Sequence, residues 1–418
     1  MRTIITFLND KGLKSGTVYL WKDKEYEGGV FSLALRQFVE HDRMLVCNTP
    51  EAEQNTWPAL LKLNDPRIEH VSIPKGETTV EMWEMFNTIT ARVNVGETVI
   101  FDITHGLRSL PFLVFLFAAY LKSAKAVKIE AIYYGAFELG KPAPVIDLSE
   151  FVSILDWLIA TNLFVKTGDG QVLADLLKEG IPSGIELRDN LLARELKNNL
   201  NSASKAIESI SLALGLTRPI ETMEQATKLE AALKKAEPSI AQKAQPFAIL
   251  AEQVVQEYGQ FALLNPIETL KLPDNLWLQL RMIQWYRERQ QIVQAVTLAR
   301  EWIVSVLTLK FEEPMFDNKQ GRAPVEAALN NAARQKRKKD NTQSITPSRC
   351  DEPFEALQNK DELVNVWEQI TELRNDIAHC GMNPSPKKAA NLRENFEKIY
   401  PQLQSLAQLL LPPQEKTE

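Results

Sequence analysis

Two hydrophobic periodicities divide this chain. Up to about Leu148, short apolar runs alternate with helical stretches; beyond it, the spacing is helical to the end. RTIITFL (Arg2–Leu8) predicts an opening strand, TVYLW (Thr17–Trp21) a second, and RMLVCNTP (Arg43–Pro50) a third that ends in a turn. RIEHVSIP (Arg67–Pro74) and KIEAIYYGAF (Lys128–Phe137) read as further strands. TVIFDI (Thr98–Ile103) is a continuous apolar run broken by one Asp, the pattern of a central strand buried on both faces. Helices are predicted over Val30–Val39, over Thr78–Val93 and from Pro111 onward. Alternating strands and helices predict an α/β domain with a mostly parallel, doubly wound sheet.

The second half is predicted all-α. Pro182, Gly184, Pro219 and Pro238 punctuate several helices, and Trp277–Leu309 reads as one long amphipathic run anchored by Trp277, Trp285 and Trp302. A polar interruption, roughly Glu312–Lys360, reads as a mobile insertion and carries the basic run RQKRKK, Arg334–Lys339. A helix through DELVNVWEQITELRNDIAH (Asp361–His379) and a last one over about Pro386–Leu411 follow. The expected divisions are residues 1–147, a helical connecting region over 148–244, and a helical domain over 245–418 with the insertion at about 312–360.

The 418 residues allow two or three domains at roughly 150 each. A net charge of −6 argues against a chain coated in nucleic acid or lying on an acidic membrane, and leaves room for a local basic groove. The three cysteines, Cys47, Cys350 and Cys380, form no CxxC pair, so no zinc ribbon or redox dithiol is indicated, and a reducing cytoplasm is expected. No signal peptide is expected, because the opening residues lack a long apolar core. No membrane span is expected either: PFLVFLFAAYL (Pro111–Leu121) is far shorter than the ~20 residues a span needs.

FDITHGLRSLP joins a strand end, a tight turn and a helix start. In an open parallel sheet, ligands bind outside the carboxyl ends of the strands. That edge offers Thr104, His105, Gly106, Leu107, Arg108 and Ser109, and the helix N-terminus adds unpaired N–H groups that favour phosphate. Arg108 suits a bidentate contact. The same residues also read as a plain structural turn. No GxGxxG follows the first strand, which argues against a dinucleotide-dependent dehydrogenase.

The second constellation lies on the Asp361–His379 helix. Leu363, Val366, Ile370, Leu373 and Ile377 make one buried stripe, Asp361 is the expected N-cap, and Gly381 and Pro384 end the helix. His379 falls in the last turn, where the helix dipole favours a cation, and histidine is the usual proton shuttle. Arg374 is a fixed cation suited to phosphate. Positions five apart diverge by roughly 140° on an ideal helix, so one shared site is easier to build from two copies across a twofold axis. An ordinary Arg, Asp and capping His at a helix end fit the spacing as well.

Together the two constellations resemble a known family. RNDIAH matches the Arg–polar–x–x–x–His signature of HEPN ribonucleases, with Arg374, Asn375 and His379 in the matching roles. DITHGLRSLP resembles the ligand-binding turn of CARF domains, the Rossmann-like sensors of CRISPR systems. Sensor first and HEPN last resembles the ancillary ribonucleases of type III CRISPR defence. Relatives often carry a small Gly- and Ser/Thr-rich turn after the first strand, where this chain has Asn9, Asp10, Lys11 and Gly12.

The resemblance implies a homodimer whose sensor binds cyclic oligoadenylate, cyclic tetra-adenylate being the first choice, through Asn9–Lys11 and Thr104–Ser109. It implies a HEPN dimer that cuts single-stranded RNA without a metal or cofactor, the RNA's own 2′-hydroxyl attacking the phosphate. His379 would move a proton, Arg374 would stabilise charge on phosphorus, and Asn375 would orient one of them. No stable association with the CRISPR effector complex is implied. The rival readings are a nucleotide-sensing binding module that cuts nothing, and a HEPN toxin without cyclic nucleotide control. No residue decides whether the sensor also degrades its activator.

Overall fold

The computed structural model describes residues 1–8, 10–11, 16–106, 109–179, 181, 190–243, 245–337, 346–382 and 384–413. The chain divides into two compact units, Met1–Asp156 and Trp157–Glu418.

The first unit is built on β1 (Arg2–Phe7), β2 (Val18–Trp21), β3 (Lys24–Glu27), α1 (Phe31–Phe38), β4 (Arg43–Asn48), α2 (Pro50–Asn55), α3 (Trp57–Leu61), β5 (Ile68–Ser72), α4 (Thr79–Arg92), β6 (Thr98–Asp102), α5 (Leu110–Lys125), β7 (Lys128–Gly135) and β8 (Ala143–Asp147). Among the described residues these strands form one eight-stranded sheet in the order β3-β2-β8-β7-β6-β1-β4-β5. The stretch β7-β6-β1-β4-β5 is parallel throughout, while β8 runs antiparallel to β7 and β3 antiparallel to β2. The mostly parallel expectation therefore holds for the centre and fails at one edge.

Alternate side chains of the central strands feed two cores, as a period of two requires. Ile4, Met44, Val46 and Ile100 face α1 and α3. Ile5, Leu45, Cys47, Val99 and Phe101 face α4 and α5. Full burial of each large apolar side chain stabilises the fold by about 1.5–3 kcal/mol. From β1 the chain builds β4 and β5 on one side and later β6 and β7 on the other. The strand order therefore reverses at the β1/β6 boundary, where a crevice opens at the carboxyl edge.

α6 (Ser149–Thr167) crosses the boundary between the units, and the rest is helical: α7 (Gln171–Glu179), α8 (Leu191–Gly215), α9 (Pro219–Lys243), α10 (Gln245–Gly259), α11 (Leu272–Glu288), α12 (Ile292–Lys310), α13 (Ala323–Arg337), α14 (Asp351–Glu355), α15 (Lys360–Ala378) and α16 (Ala389–Leu410). One core runs through the second unit, with Trp302, Trp367, Tyr286 and Phe261 among its fully buried side chains. By length and composition alone α12 is apolar enough to cross a membrane, yet most of that window is buried within the chain.

Several expectations need correction. Pro238 does not end a helix: α9 continues through it, with Leu233, Ala236 and Ile240 buried around the exposed proline. Trp277–Leu309 is not one run but parts of α11 and α12, separated by Arg289–Gln291, where Gln290 adopts a left-handed φ of 58°. The stretch Glu312–Lys360 is not an irregular insertion over its described residues. It holds a short π-helical turn (Asn318–Arg322), α13 and α14, with Met315, Val325, Leu329 and Phe354 buried. The buried side of α13 mixes Val325 and Leu329 with Ala328, Asn331 and Ala333, which leaves the helical periodicity little contrast. Gly321 fixes the turn: a Cβ there would lie 1.8 Å from the Pro314 carbonyl oxygen.

Candidate functional site

The sheet-edge turn follows β6. Asp102, the Asp that broke the apolar run, is fully buried and accepts hydrogen bonds from the Thr6 hydroxyl at 2.6 Å and the Thr104 N–H at 2.8 Å. Burial pushes its carboxyl up to about 6, against the lowering effect of those hydrogen bonds. Tyr19 lies buried close by, its hydroxyl pushed well above the ordinary range by burial first and by Asp102 second.

Thr104 and His105 turn inward. The Thr104 hydroxyl accepts the Gly135 N–H at 2.8 Å. His105, 9% exposed, stacks on Phe137 and accepts the Phe31 N–H on Nε2 at 3.2 Å. That N–H is the first of α1, which has no side-chain cap, so the imidazole occupies a capping role. Gly106 is exposed with φ +117°, a conformation that L side chains resist, and a Cβ there would lie 2.6 Å from Leu110. Ser109 is half-buried and flanks α5, with Pro111 in the first turn as expected; its hydroxyl makes no capping bond. A small, mostly apolar slot beside the turn is lined by Phe7, Ile73, Met85, Ser109, Leu110 and Leu113, among others.

Asn9, Leu107 and Arg108 lie outside the described residues. Asp10 and Lys11 are exposed, and the Asp10 carbonyl accepts the Asn55 amide at 2.7 Å, tying the loop after β1 to the end of α2.

The second candidate site is the end of α15. Leu363, Val366, Ile370 and Leu373 are buried and Ile377 half-buried, so the predicted stripe anchors the helix. Asn359, not Asp361, occupies the N-cap, without a side-chain bond; Asp361 sits in the first turn, where its charge still complements the helix N-terminus. Arg374, Asn375 and His379 are all exposed. Arg374 Nη1 donates to Asn375 Oδ1 at 3.4 Å, a long contact. Among the described residues no hydrogen bond or ion pair joins either of them to the His379 side chain.

His379 is the C-cap residue. The chain then turns through Cys380 (φ +53°) and Gly381 (φ +70°), whose N–H returns to the Asp376 carbonyl at 3.0 Å. Asp376 accepts the Lys387 N–H at 3.1 Å, and Lys387 pairs with Glu372. These bonds fix the segment after His379 against the last turn of α15.

The basic run is not on a loop where described. Arg334, Lys336 and Arg337 end α13, and Lys336 and Arg337 both pair with Glu368 of α15. Lys338 and Lys339 lie outside the described residues. A larger cavity opens between α9, α11 and α12, lined by Ile220, Asn275, Gln279 and Arg322 among others; no residue of either candidate site lines it. Among the described residues no three His, Cys, Asp or Glu side chains group to hold a metal ion.

Residues 153–265 match the family model described as "CRISPR-associated protein MJ1674, second domain". The CRISPR-associated protein MJ1674 of Methanocaldococcus jannaschii is 34% identical over 105 residues, 23% of this chain; the chain covers only 16% of that relative's length. Among solved structures, Enterococcus italicus Csm6 bound to cyclic hexa-2'-fluoro-hexa-dAMP is similar with a TM-score of 0.44 and 10% identity, over 100% of this chain and 96% of that one. That likeness is too loose to transfer a site. The family match is firm where it applies: a helical segment of this chain, running from α6 through α10, is similar to a domain of a CRISPR-associated protein, with Thr104–Ser109 before it and Arg374–His379 after it.

Proposed function

We propose that this chain is a metal-independent endoribonuclease of the HEPN type, switched on by a cyclic oligoadenylate at the carboxyl edge of its sheet, and that it serves CRISPR defence. The observation that carries the reading is the end of α15, where Arg374, Asn375 and His379 stand exposed on a helix anchored by its opposite face. The similarity of residues 153–265 to a CRISPR-associated protein supports the setting.

In this reading two copies of α15 meet across a twofold axis around one scissile phosphate. The ribose 2′-hydroxyl attacks the adjacent phosphorus, and the bond to the 5′-oxygen breaks. A cyclic phosphate and a free 5′-hydroxyl result. His379 moves a proton at the reacting oxygens, and Arg374 holds the charge that gathers on the phosphoryl oxygens. Asn375, in contact with Arg374, orients it. At the sheet edge, Gly106, Ser109, Arg108 and the loop Asn9–Lys11 contact the activator, while Thr104 and His105 shape the turn from beneath.

The test is cleavage of labelled single-stranded RNA with a panel of cyclic oligoadenylates and a chelator. Cleavage stimulated by cyclic tetra-adenylate and insensitive to EDTA is expected. Stimulation by the hexa-adenylate instead corrects the ring size. Strict dependence on a divalent ion overturns the mechanism, and activator binding without cleavage makes the chain a binding module.

A further inference from the structure

Two side-chain amides interrupt the buried face of α11. Asn275 and Gln279 stand one turn apart among Leu272, Leu276 and Ile283, at 2% and 7% exposure. A buried amide costs free energy unless its groups are paired. The Asn275 amide donates to the Pro266 carbonyl at 2.7 Å, which leaves its Oδ1 to face Gln279. Gln279 Nε2 donates to that oxygen, also at 2.7 Å. The two bonds fix which way round the Gln279 amide sits. Among the described residues its Oε1 accepts no hydrogen bond, and one N–H is left over.

Gln279 lines the cavity between α9, α11 and α12, which measures about 260 Å³. Sites for drug-sized ligands run to roughly 300–1,000 Å³, so this one has room for a single ring system and not for a chain. Ile220, Leu276, Leu298 and Met315 make apolar walls. A further wall is held rigid. Phe316 and Arg322 bracket the π-helical turn, where Asp317 accepts the Lys319 and Gln320 N–H groups and Gly321 lies against Pro314. Phe316 lines the cavity yet is 55% exposed, so its ring lies at the mouth. The charged groups are already matched: Arg322 donates to the Ser305 hydroxyl at 2.7 Å and pairs with Glu301, which also pairs with Arg300.

We infer that this cavity binds a neutral nucleoside of the adenine type, its base stacked on Phe316 and its edge read by Gln279. Adenine sets an amino donor beside a ring-nitrogen acceptor, and a glutamine amide complements that pair. Guanine is read best by a free guanidinium, and Arg322 is engaged. Charge defines the sugar end. A neighbouring cavity shares Thr217, Pro219 and Ile220 and is also lined by Arg218, Glu221 and Glu224. Two carboxylates against one guanidinium disfavour a phosphate there. No residue of Thr104–Ser109 or Arg374–His379 lines either cavity, so the site stands apart from RNA cleavage and its activator.

Calorimetry on the full-length chain is the test. Adenosine should bind once per chain, and adenosine monophosphate, guanosine and cytidine each at least about fivefold more weakly. Phe316→Ala should weaken adenosine binding at least about fivefold through loss of the stack, with unfolding temperature unchanged because the ring is exposed. Thr297→Phe, at an exposed position of α12 on the cavity, should block the site, again without loss of stability. Gln279→Leu should abolish binding. It also takes a donor from buried Asn275, so the two exposed variants decide the matter if that protein fails to fold. No binding at millimolar adenosine, or unchanged affinity in both exposed variants, overturns the site. Guanosine or the monophosphate binding as tightly as adenosine overturns the assigned ligand.

Discussion

The two candidate sites differ in how their side chains are employed. At the sheet edge, Thr104 and His105 are engaged internally, with Gly135 and with α1, and Asp102 below them is buried. At the end of α15, Arg374, Asn375 and His379 are exposed; Arg374 meets Asn375 at 3.4 Å, and among the described residues neither is bonded to the His379 side chain. The first is a shaped turn whose residues hold the fold; the second is a set of groups displayed on an independently anchored helix. Substitution should therefore separate stability from activity at α15 and entangle them at the turn.

The largest expected effect breaks the comparison on the activity side. Arg374→Ala or His379→Ala should each lower RNA cleavage about 10²–10⁴-fold with the unfolding temperature unchanged. Rates within threefold of the parent in both would remove the site from α15. Next comes pH. The Asp102 carboxyl is pushed up to about 6 from an ordinary 3.8, so the folded chain takes up that proton before the unfolded one does. Stability should therefore rise as pH falls from about 6 to 4, and be lost again as pH climbs through 6, by at most about 3 kcal/mol. Asp102→Asn retains both partners, its oxygen accepting from Thr104 and its amide donating to Thr6. Denaturant titrations of this variant should show a flattened profile over that range and a gain at pH 8.

Smaller effects sharpen the contrast. Gly106→Val should cost about 1–3 kcal/mol through its φ and the approach of Leu110, and abolish the response to activator. His105→Ala should cost about 1 kcal/mol by uncapping α1 as well as weakening activation; a variant as stable as its parent would release His105 from its structural role. Smallest of all, Glu368→Gln, which removes the ion pairs of Lys336 and Arg337 and leaves the bond from Lys336 to Asn365, should change stability by under about 1 kcal/mol, measured by thermal melts.

Much of the fold was legible because its signals are strong. The period-two cores of β1, β4 and β6 are written in continuous apolar runs, and the α15 stripe in a clean helical spacing. β3 and β8 were not. KEYE (Lys24–Glu27) is charged at every position but Tyr26, and β8 begins with Ala-Pro; each buries only a small face and is held largely by pairing with its neighbours. α13 escaped because Ala328, Asn331 and Ala333 dilute the Val325 and Leu329 signal on its buried side. At the candidate sites, residue identities were legible but orientations were not. Spacing cannot reveal that His105 points beneath the turn, since that depends on α1 and Phe137, distant in sequence. The Thr6–Asp102 pair announced itself only as an odd Asp in an apolar run.

The inward bonds of Thr104 and His105 also make the turn a source of signal. The Phe31 and Gly135 amide protons are held by that turn's side chains. A ligand that redraws the turn must break or strengthen those two bonds, and the exchange rates of two amides on separate elements will shift together. Phe31 and Gly135 are thus built-in reporters, through which occupancy of the sheet edge can be followed by hydrogen exchange without labelling the ligand or waiting for RNA to be cut.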